Sequence, residues 1–411
     1  MFADIYKTLT PSRKRSIQYL QKCLDDSTKS PHVTTMKKNI YLDYNATAPM
    51  LTEVKQMIVD VMECEGNPSS VHKSGREARK IVEDARVKVA SLVGARARDV
   101  IFTSGGTESN NLAVLGTPTV SVVTSNTEHD SLLAATRAAG KPVYHVPVKE
   151  NGHMDVHALR KVLEVAEMPA LVSIMLANNE TGIIQPVGEL FALAKEFGCL
   201  THMDAVQACG KMMVDRNIVN ADYVSISSHK LGGPKGMGAL ILSPTAPLNA
   251  IIVGGGQELG RRSGTENVMG IAGFGVAAIS AMGNLGDMDR QGDLQEYLES
   301  YIYKNAPDAI VVAHDDTLRV ANTSCIILPG VSGETQVMNM DLNNVCISSG
   351  SACSSGKVKV SHVMKAMGYN DDLANSSIRV SIGRGTVKDD IDTFLKVWMA
   401  MYTRTANKRA S

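Results

Sequence analysis

Residues 221–242, ADYVSISSHKLGGPKGMGALIL, join two short apolar runs through a segment of serine, glycine and lysine. The runs Tyr223–Ile226 and Ala239–Leu242 have the length and apolar character of buried strands. Lys230 lies between them among small residues and glycine turns, where its ammonium can lose contact with water. Loss of water lowers the pKa of a lysine, and a neutral amine can form a Schiff base with a carbonyl. An ordinary surface-loop lysine is the alternative at this stage.

Outward from this stretch, short apolar runs alternate with amphipathic ones such as residues 75–93 and 187–197, which have helical spacing. This alternation indicates an α/β fold with a largely parallel sheet. The other predicted strands of that sheet region are Ile40–Tyr44, Val100–Thr103, Ser121–Thr124, Leu171–Leu176 and Leu200–Met203. Sparser runs predict a smaller α+β domain towards the C terminus, with strands at Ser324–Leu328, Asn344–Ile347 and Ile378–Ile382.

We therefore predict a large domain over residues 51–285 and a small domain formed by residues 39–50 and 286–411. Residues 1–38 are basic and rich in Ser and Thr, a composition that loosely fits a mitochondrial presequence. A loosely docked tail or an over-extended start is the alternative for this N-terminal extension. The expected location is the cytoplasm or the mitochondrial matrix.

The composition argues against several classes of protein. Apolar residues make up 44% of the 411-residue chain and charged residues 20%, as in ordinary globular proteins. Lys+Arg and Asp+Glu are both 42, so the net charge gives no reason to expect direct binding to nucleic acid. No apolar run reaches the roughly 18 residues of a membrane span. The 7 cysteines form no CxxC pair and the histidines no HExxH spacing, so no disulfide framework or metal site is predicted.

Polar groups that suit a phosphorylated aromatic cofactor follow several predicted strands. Residues 104–108, SGGTE, precede a helical stretch, so their backbone N–H groups and the helix dipole can hold a phosphate. Asp204 can pair with a protonated pyridine nitrogen, or it can cap a helix. His129 can stack on a flat ring, although a purely structural histidine is the alternative.

Residues 348–356, SSGSACSSG, form the most unusual segment of the chain. Ser, Gly and Ala cannot build a core, so we expect a mobile, exposed loop. Cys353 would then be a reactive thiol, whereas the other cysteines are expected to pack. Arg379, on an otherwise apolar strand, calls for a carboxylate partner, either that of a substrate or a structural one.

Ten segments in this order resemble the NifS/IscS-type cysteine desulfurases, which depend on pyridoxal 5'-phosphate (PLP) and belong to the class V aminotransferase family. The resemblance runs from about Ile40 to Thr386 and implies the PLP-dependent transferase fold type I. Each segment is common alone, but the ten in register are specific. They are YLDYNATAP, GNPSSVH, FTSGGTESNN, TEHDS, NNETG, HMDAVQACGK, SSHKLGGPKG, RRSGTEN, SSGSACSSG and IRVSIGR.

The resemblance also implies the roles of individual residues. Lys230 would hold the cofactor covalently, His129 would stack on its ring, and Cys353 would accept the sulfur. Asn179 and Arg379 would bind the substrate carboxylate. The phosphate would be held by Gly106, Thr107, Ser227, His229 and, from the neighbouring subunit of a homodimer, Thr265. Asp204 would face the pyridine nitrogen and Gln207 the ring hydroxyl.

The reaction that the resemblance implies takes sulfur from L-cysteine, releases L-alanine and leaves a persulfide on Cys353. The persulfide would pass to an acceptor protein such as an iron–sulfur scaffold, or towards the synthesis of thio-cofactors and thiolated tRNA. Leu259 departs from the pattern because Arg is frequent at that position. This departure puts surface or dimer contacts in question more than the chemistry.

Selenocysteine lyase, which gives alanine and selenide, is the nearest alternative because it shares the fold and the cofactor. An ordinary aminotransferase or another PLP lyase would have no use for a cysteine in a Ser/Gly loop. A non-catalytic partner protein would have no physical need for Lys230, Asp204, His129 and Cys353 together.

Overall fold

The computed structural model describes residues 39–314, 317–350 and 360–410, with the side chains after residue 407 left out. The predicted N-terminal extension and Cys353 lie outside the described residues.

Helices and strands alternate through the first two thirds of the described chain. The strands are β1 Ile40–Tyr41, β2 Val100–Thr103, β3 Ser121–Ser125, β4 Val143–Val146, β5 Ala170–Met175, β6 Leu200–Asp204, β7 Tyr223–Ser227, β8 Gly238–Leu242, β9 Ile310–Val311, β10 Thr323–Ile327, β11 Val345–Cys346, β12 Ser348–Ser349 and β13 Ser377–Ser381. The helices are α1 Thr52–Met62, α2 Lys73–Ser91, α3 Gly106–Gly116, α4 Asp130–Ala138, α5 Val156–Val165, α6 Val187–Glu196, α7 Val268–Gly283, α8 Asp287–Asn305, α9 Gly333–Asp341, α10 His362–Ala366, α11 Asp371–Asn375 and α12 Lys388–Ala410.

The larger sheet has seven strands in the order β2-β8-β7-β6-β5-β3-β4. Strand β8 runs antiparallel to both of its neighbours, whereas the pairs among β7, β6, β5, β3 and β4 are parallel. The predicted α/β architecture with a mostly parallel sheet is confirmed. Every residue of β5 is buried, as expected for a parallel strand that is covered on both faces.

Helix α7 shows how the large sheet is covered. Its sequence, VMGIAGFGVAAISAMG, is apolar almost all round, and it packs against both α1 and α2. Close approach depends on small residues, because a Cβ on Gly275 would lie 2.9 Å from the Cβ of Ala85.

Within the described residues no single helix has the length and apolarity of a membrane span. Helices α7 and α8 reach that length and apolarity only as a pair, which is bent by 72°.

A smaller four-stranded sheet, in the order β12-β13-β10-β9, is antiparallel and has a core of its own around Trp398 and Phe394. Strand β1 pairs in parallel with β11. The segment before α1 is therefore attached to the C-terminal part of the chain. The predicted domain boundaries require this attachment, but the boundaries themselves stay predictions.

Three strands escaped the sequence analysis: β4, β9 and β12. Strand β12 corrects the expectation of an exposed loop for Ser348 and Ser349, because Ser348 pairs with Arg379 and is buried, whereas residues 351–356 of the predicted loop lie outside the described residues. This strand is defined by its backbone hydrogen bonds to β13. Its two serine side chains do not form a pattern that predicts a strand. At the other end of the chain, the predicted strand Ile40–Tyr44 is shorter and covers only Ile40–Tyr41.

A buried ion pair ties helix α2 to the segment before α7. Arg86 Nη1 and Nη2 donate to the two carboxylate oxygens of Glu258 at 2.6 and 2.9 Å, and the backbone N–H of Phe102 donates to the same carboxylate at 3.0 Å. Glu258 and Leu259 have φ values of 48° and 58°, in the left-handed region that non-glycine residues rarely adopt. The ion pair therefore holds a strained turn in place.

We expect Glu258→Gln to lower the free energy of unfolding by about 3 kcal/mol, because it removes the buried counter-charge of Arg86 and leaves only the half-exposed carboxylate of Glu83 beside the guanidinium. Urea unfolding of wild type and variant measures the difference. The matched control is Glu196→Gln, which removes an exposed ion pair with Arg160 and should cost less than about 1 kcal/mol. Equal losses in the two variants would contradict a structural role for the buried pair.

Candidate cofactor-binding and active site

A cavity of about 250 Å³ lies where the parallel strands of the large sheet end. Asp204 ends β6 and Ser227 ends β7, so the sheet itself places them at one edge. Ligands of open α/β sheets bind at this edge, outside the carboxyl ends of the strands. The lining residues are Gly106, Thr107, Asn110, His129, Ser131, Met175, Asn179, Asp204, Val206, Gln207, Ser227, His229 and Lys230.

Lys230 follows β7 and extends its amine into this cavity. Its Nζ donates to the carbonyl oxygens of Asn45 at 2.5 Å and Ala46 at 2.8 Å. No carboxylate among the described residues lies within ion-pair distance of this ammonium. Burial, followed by the charge of Arg379, lowers the pKa of Lys230 to about 8. A substantial fraction of its amine is therefore neutral near physiological pH.

Asp204 is buried and keeps a fixed orientation. Its Oδ2 accepts from Asn110 Nδ2 at 2.7 Å and its Oδ1 accepts from the backbone N–H of Val206 at 3.0 Å. The chain after Asp204 forms turns, so the alternative of a helix N-cap is wrong. The carboxylate keeps lone pairs that can accept a further proton donor from the cavity.

The glycine-rich turn and the end of β7 face each other across one end of the cavity. Helix α3 begins at Gly106, where an added Cβ would lie 2.9 Å from a methyl group of Val206. Ser227 Oγ is buried and has no hydrogen-bond partner among the described residues. His229 bonds Thr47 Oγ1 through Nδ1 at 3.2 Å, and burial lowers its pKa to about 4, so its ring is neutral. Thr107 lies at the same helix start and is exposed to the cavity.

His129 is the N-cap of helix α4 and also lines the cavity. Its Nδ1 accepts from the backbone N–H of Ser131 at 3.1 Å and bonds Ser131 Oγ at 2.8 Å. These contacts fix the ring plane while leaving ring surface exposed to the cavity. Surrounding protein atoms lower the pKa of the imidazole, which favours the neutral ring.

Asn179 and Arg379 adjoin each other at the junction with the small sheet. Arg379 Nη1 donates to the carbonyl oxygen of Asn179 at 3.0 Å, and Nη2 forms an ion pair with Asp43 Oδ1 at 2.7 Å. Asp43 is therefore the structural carboxylate partner that the sequence analysis gave as an alternative to a substrate carboxylate. Its Nε is buried and has no partner among the described residues.

Two described candidates do not line this cavity: Arg379 adjoins it through its hydrogen bond to Asn179, whereas Thr265 lies apart. It is exposed and lines a separate cavity of about 150 Å³ together with Arg262 and Ser104. Within one chain it therefore does not join the other candidate residues.

Sequence reasoning missed several residues that hold the site together. Asn45 is the centre of this group, since its carbonyl oxygen accepts from both Lys230 and Gln207, at 2.5 and 3.0 Å. Asn110 orients Asp204, and Lys211 donates to Gln207 Oε1 at 2.7 Å. All of them lie inside the ten sequence segments that carry the family resemblance. Their position in those segments was the signal that could have identified them.

Comparison with known proteins identifies the family. The model of the aminotransferase class-V family matches residues 40–394. The chain belongs to this family. It is 39% identical over 373 residues to the cysteine desulfurase IscS of Dictyoglomus turgidum, covering 88% of this chain and 94% of that one. A cysteine desulfurase of Cereibacter sphaeroides is 40% identical over 371 residues, covering 88% and 95% of the two chains.

A solved structure of a relative agrees with the fold. The NifS-like protein from Rickettsia africae superimposes with a TM-score of 0.82 at 35% identity, over 89% of this chain and 100% of that one. The predicted fold type I of PLP-dependent transferases is confirmed by this match together with the sheet order described above.

The residues around the cavity fit PLP. The partnerless hydroxyl of Ser227 and the start of α3, where Gly106 leaves no room for a side chain, suit a phosphate. Asp204 suits a protonated pyridine nitrogen, and Lys230 provides a partly neutral amine for a covalent link. These residues therefore match the phosphate, the ring nitrogen and the aldehyde of this cofactor.

Three of the five described cysteines behave as packing residues. Cys199 and Cys209 are buried, and burial raises the pKa of their thiols to about 11 and about 12. Cys325 is also buried and its pKa is raised. These thiols stay protonated and unreactive at neutral pH, as expected from the sequence.

Glu128, next to His129, is a buried carboxyl group that the sequence did not single out. Burial raises its pKa to about 8, and the charge of Asp204 adds to this shift. Only Ser125 Oγ donates to it among the described side chains, at 3.2 Å, while its Oε2 has no partner there. Glu128 is therefore mainly protonated near pH 7 in the folded protein.

This raised pKa predicts a pH-dependent stability. An unfolded chain loses the proton near the ordinary value of 4.5, whereas the folded protein keeps it up to about 8. The stabilising contribution is thus complete below about pH 4.5 and is lost as the pH rises to about 8. Relative to wild type, Glu128→Gln should gain stability over this range, as measured by unfolding midpoints between pH 5 and 8.

The exposed Glu164→Gln serves as the control and should follow wild type at each pH. Parallel curves for wild type and Glu128→Gln would show that Glu128 is already ionised in the folded protein.

Proposed function

We propose that this protein is a PLP-dependent cysteine desulfurase that converts L-cysteine to L-alanine and passes on the sulfur. The observation that carries the proposal is the Lys230 amine, which lies in the cavity without a carboxylate partner among the described residues and has a pKa of about 8. The cysteine desulfurases from two organisms that match nearly the whole chain support the same reaction.

PLP, when bound, supplies an electron sink for the bonds broken at the α-carbon of an amino acid. The protein supplies the groups around it. Asp204 offers a negative charge fixed by Asn110 and by the backbone of Val206, which favours a protonated ring nitrogen. Ser227 and the N–H groups at the start of α3 offer donors to the phosphate.

Lys230 has two tasks in this proposal. Its neutral amine forms the covalent attachment, and once released it holds or removes a proton at the substrate α-carbon. A pKa of about 8 suits both tasks, because the amine changes its charge close to the working pH. The carbonyl oxygens of Asn45 and Ala46 are the acceptors that hold the amine when it is protonated.

Asn179 and Arg379 are proposed to bind the carboxylate of L-cysteine. The buried Nε of Arg379 lacks a partner among the described residues, which supports this role. The existing ion pair with Asp43 would orient the guanidinium.

Cys353 is the proposed sulfur acceptor, and this assignment rests on the SSGSACSSG segment alone. Its thiolate would attack the substrate sulfur and form the persulfide, while the electron pair of the broken carbon–sulfur bond would stay with the β-carbon, which takes up protons to give alanine. We further propose a homodimer in which Thr265 reaches the phosphate of the neighbouring subunit; its exposed position away from the cavity of its own chain supports this. A sulfur acceptor such as an iron–sulfur scaffold, and a cytoplasmic or mitochondrial location, stay part of the proposal.

We expect Lys230→Ala to lower alanine formation from L-cysteine by at least about 10²–10⁴-fold, because it removes the amine that carries both tasks. Lys161→Ala is the control, since this exposed lysine lies on helix α5, outside the cavity, and should leave turnover largely intact. Release of sulfide and alanine is measured for both variants. Turnover that survives Lys230→Ala would rule out Lys230 as the catalytic amine.

Cys353→Ala should abolish sulfide release from L-cysteine while leaving the visible band of the bound cofactor unchanged. Turnover of selenocysteine should persist in this variant, because the carbon–selenium bond is weaker than the carbon–sulfur bond and can break without attack by a protein thiol. Cys64→Ala, which alters a partly exposed cysteine among the described residues, should behave as wild type on both substrates. Undiminished cysteine turnover by Cys353→Ala would move the sulfur acceptor elsewhere.

A further inference from the structure

Lys211 is a second lysine whose ammonium lies inside the protein next to the cofactor cavity. Part of its side chain borders a neighbouring cavity of about 380 Å³, which Lys230 also lines. Its Nζ donates to two side-chain oxygens, Asn45 Oδ1 at 2.6 Å and Gln207 Oε1 at 2.7 Å. Both partners are neutral amides, and no carboxylate among the described residues pairs with it.

An ammonium decides which way an amide side chain points. It can only donate, so the atom of Gln207 that faces Lys211 has to be the oxygen. The Nε2 group of Gln207 is thereby turned the other way, where it donates to the carbonyl oxygen of Asn45 at 3.0 Å. Gln207 lines the cofactor cavity, and the second N–H of its Nε2 is not used by these contacts, so it has a donor to offer there.

Asn45 is held in the same manner and connects the two sheets. Its Oδ1 accepts from Lys211, and its Nδ2 donates to Thr323 Oγ1 at 2.9 Å and to the carbonyl oxygen of Asn179 at 3.1 Å. Its own carbonyl oxygen accepts from Lys230. One cation therefore fixes both the amide that faces the cofactor ring and the backbone that receives Lys230.

We propose that Lys211 is a positioning residue that fixes Gln207 with its N–H donor towards the ring oxygen of the cofactor. This inference rests on the proposed function, because it assigns a hydrogen-bond donor to the side of the site that would face the ring oxygen of PLP. The chemistry agrees, since the ring oxygen of PLP is an anionic acceptor and a donor stabilises it. A carboxamide turned the other way would present an oxygen to that anion.

Loss of Lys211 has a spectroscopic consequence. The nitrogen that links Lys230 to the cofactor keeps its proton partly because the ring oxygen beside it is anionic. Without the Gln207 donor the oxygen becomes more basic and the nitrogen holds its proton more tightly. The charged groups close to Lys211 are Lys230 and Arg379, both cations, so removing the charge of Lys211 acts in the same direction.

The experiment is a pH titration of the visible absorption of the holoenzyme. Lys211→Met should raise the pKa of the cofactor band by about one unit, the scale of one hydrogen bond to a charged group. Lys211→Arg keeps a cationic donor and should restore most of the wild-type value. Lys141→Met is the matched control, because the ammonium of Lys141 also donates to a neutral oxygen, that of Thr117, but lies outside the cofactor cavity.

Two further variants test whether Lys211 acts through Gln207. Combining Lys211→Met with Gln207→Leu should add little to the shift caused by Gln207→Leu alone, whereas additive shifts would overturn the proposal. Gln207→Glu leaves Lys211 a partner but removes the donor, so it should also raise the pKa even if Lys211→Met fails to fold. An unchanged pKa in Gln207→Glu would overturn the proposal.

The outcomes separate this inference from the proposed function. A wild-type protein that shows no visible band with added PLP contradicts the cofactor assignment itself. A wild-type protein with the band, together with a Lys211→Met variant that titrates identically, contradicts only the role of Lys211.

Discussion

The ammonium of Lys230 lies between the carbonyl oxygens of Asn45 and Ala46, at 2.5 and 2.8 Å, and has no counter-charge within ion-pair distance among the described residues. An enclosed lysine without a counter-charge is costly to protonate, so its pKa falls to about 8. The same Asn45 carbonyl also accepts from Gln207, which Lys211 orients. The reactive amine and the amide beside it are therefore set by one short backbone segment. That segment is in turn fastened to the small sheet through Thr323 and Ser381.

The parallel sheet explains why residues far apart in the chain meet at this amine. Parallel strands end at a common edge, and the connections that follow them collect the polar groups there. Asp204 and Ser227 end adjacent strands, while Gly106 begins the helix that follows β2 and His129 caps the helix that follows β3. Buried apolar strands thus supply rigidity, and the short connections supply the chemistry.

The sequence predicted what depends on local pattern. The strand Val100–Thr103 was predicted with its observed bounds, and Tyr223–Ile226 differed from the observed strand by one residue, because branched and aromatic runs between turns leave few alternatives. Lys230, Asp204 and Ser227 were found because each follows such a run. Lys211 was missed because its role depends on Asn45, 166 residues away in the chain. Strand β12 was missed for a similar reason: Ser348–Ser349 is a strand only through its pairing with β13.

The most direct measurement is chemical mapping of the cofactor attachment. The protein, loaded with PLP, is treated with borohydride, which makes the link to the lysine permanent, and the digested peptides are weighed. A pyridoxyl group on the peptide that contains Lys230 is the predicted result. Attachment at Lys211 or Lys235, or no attachment after loading, would contradict the assignment of Lys230 as the reactive amine.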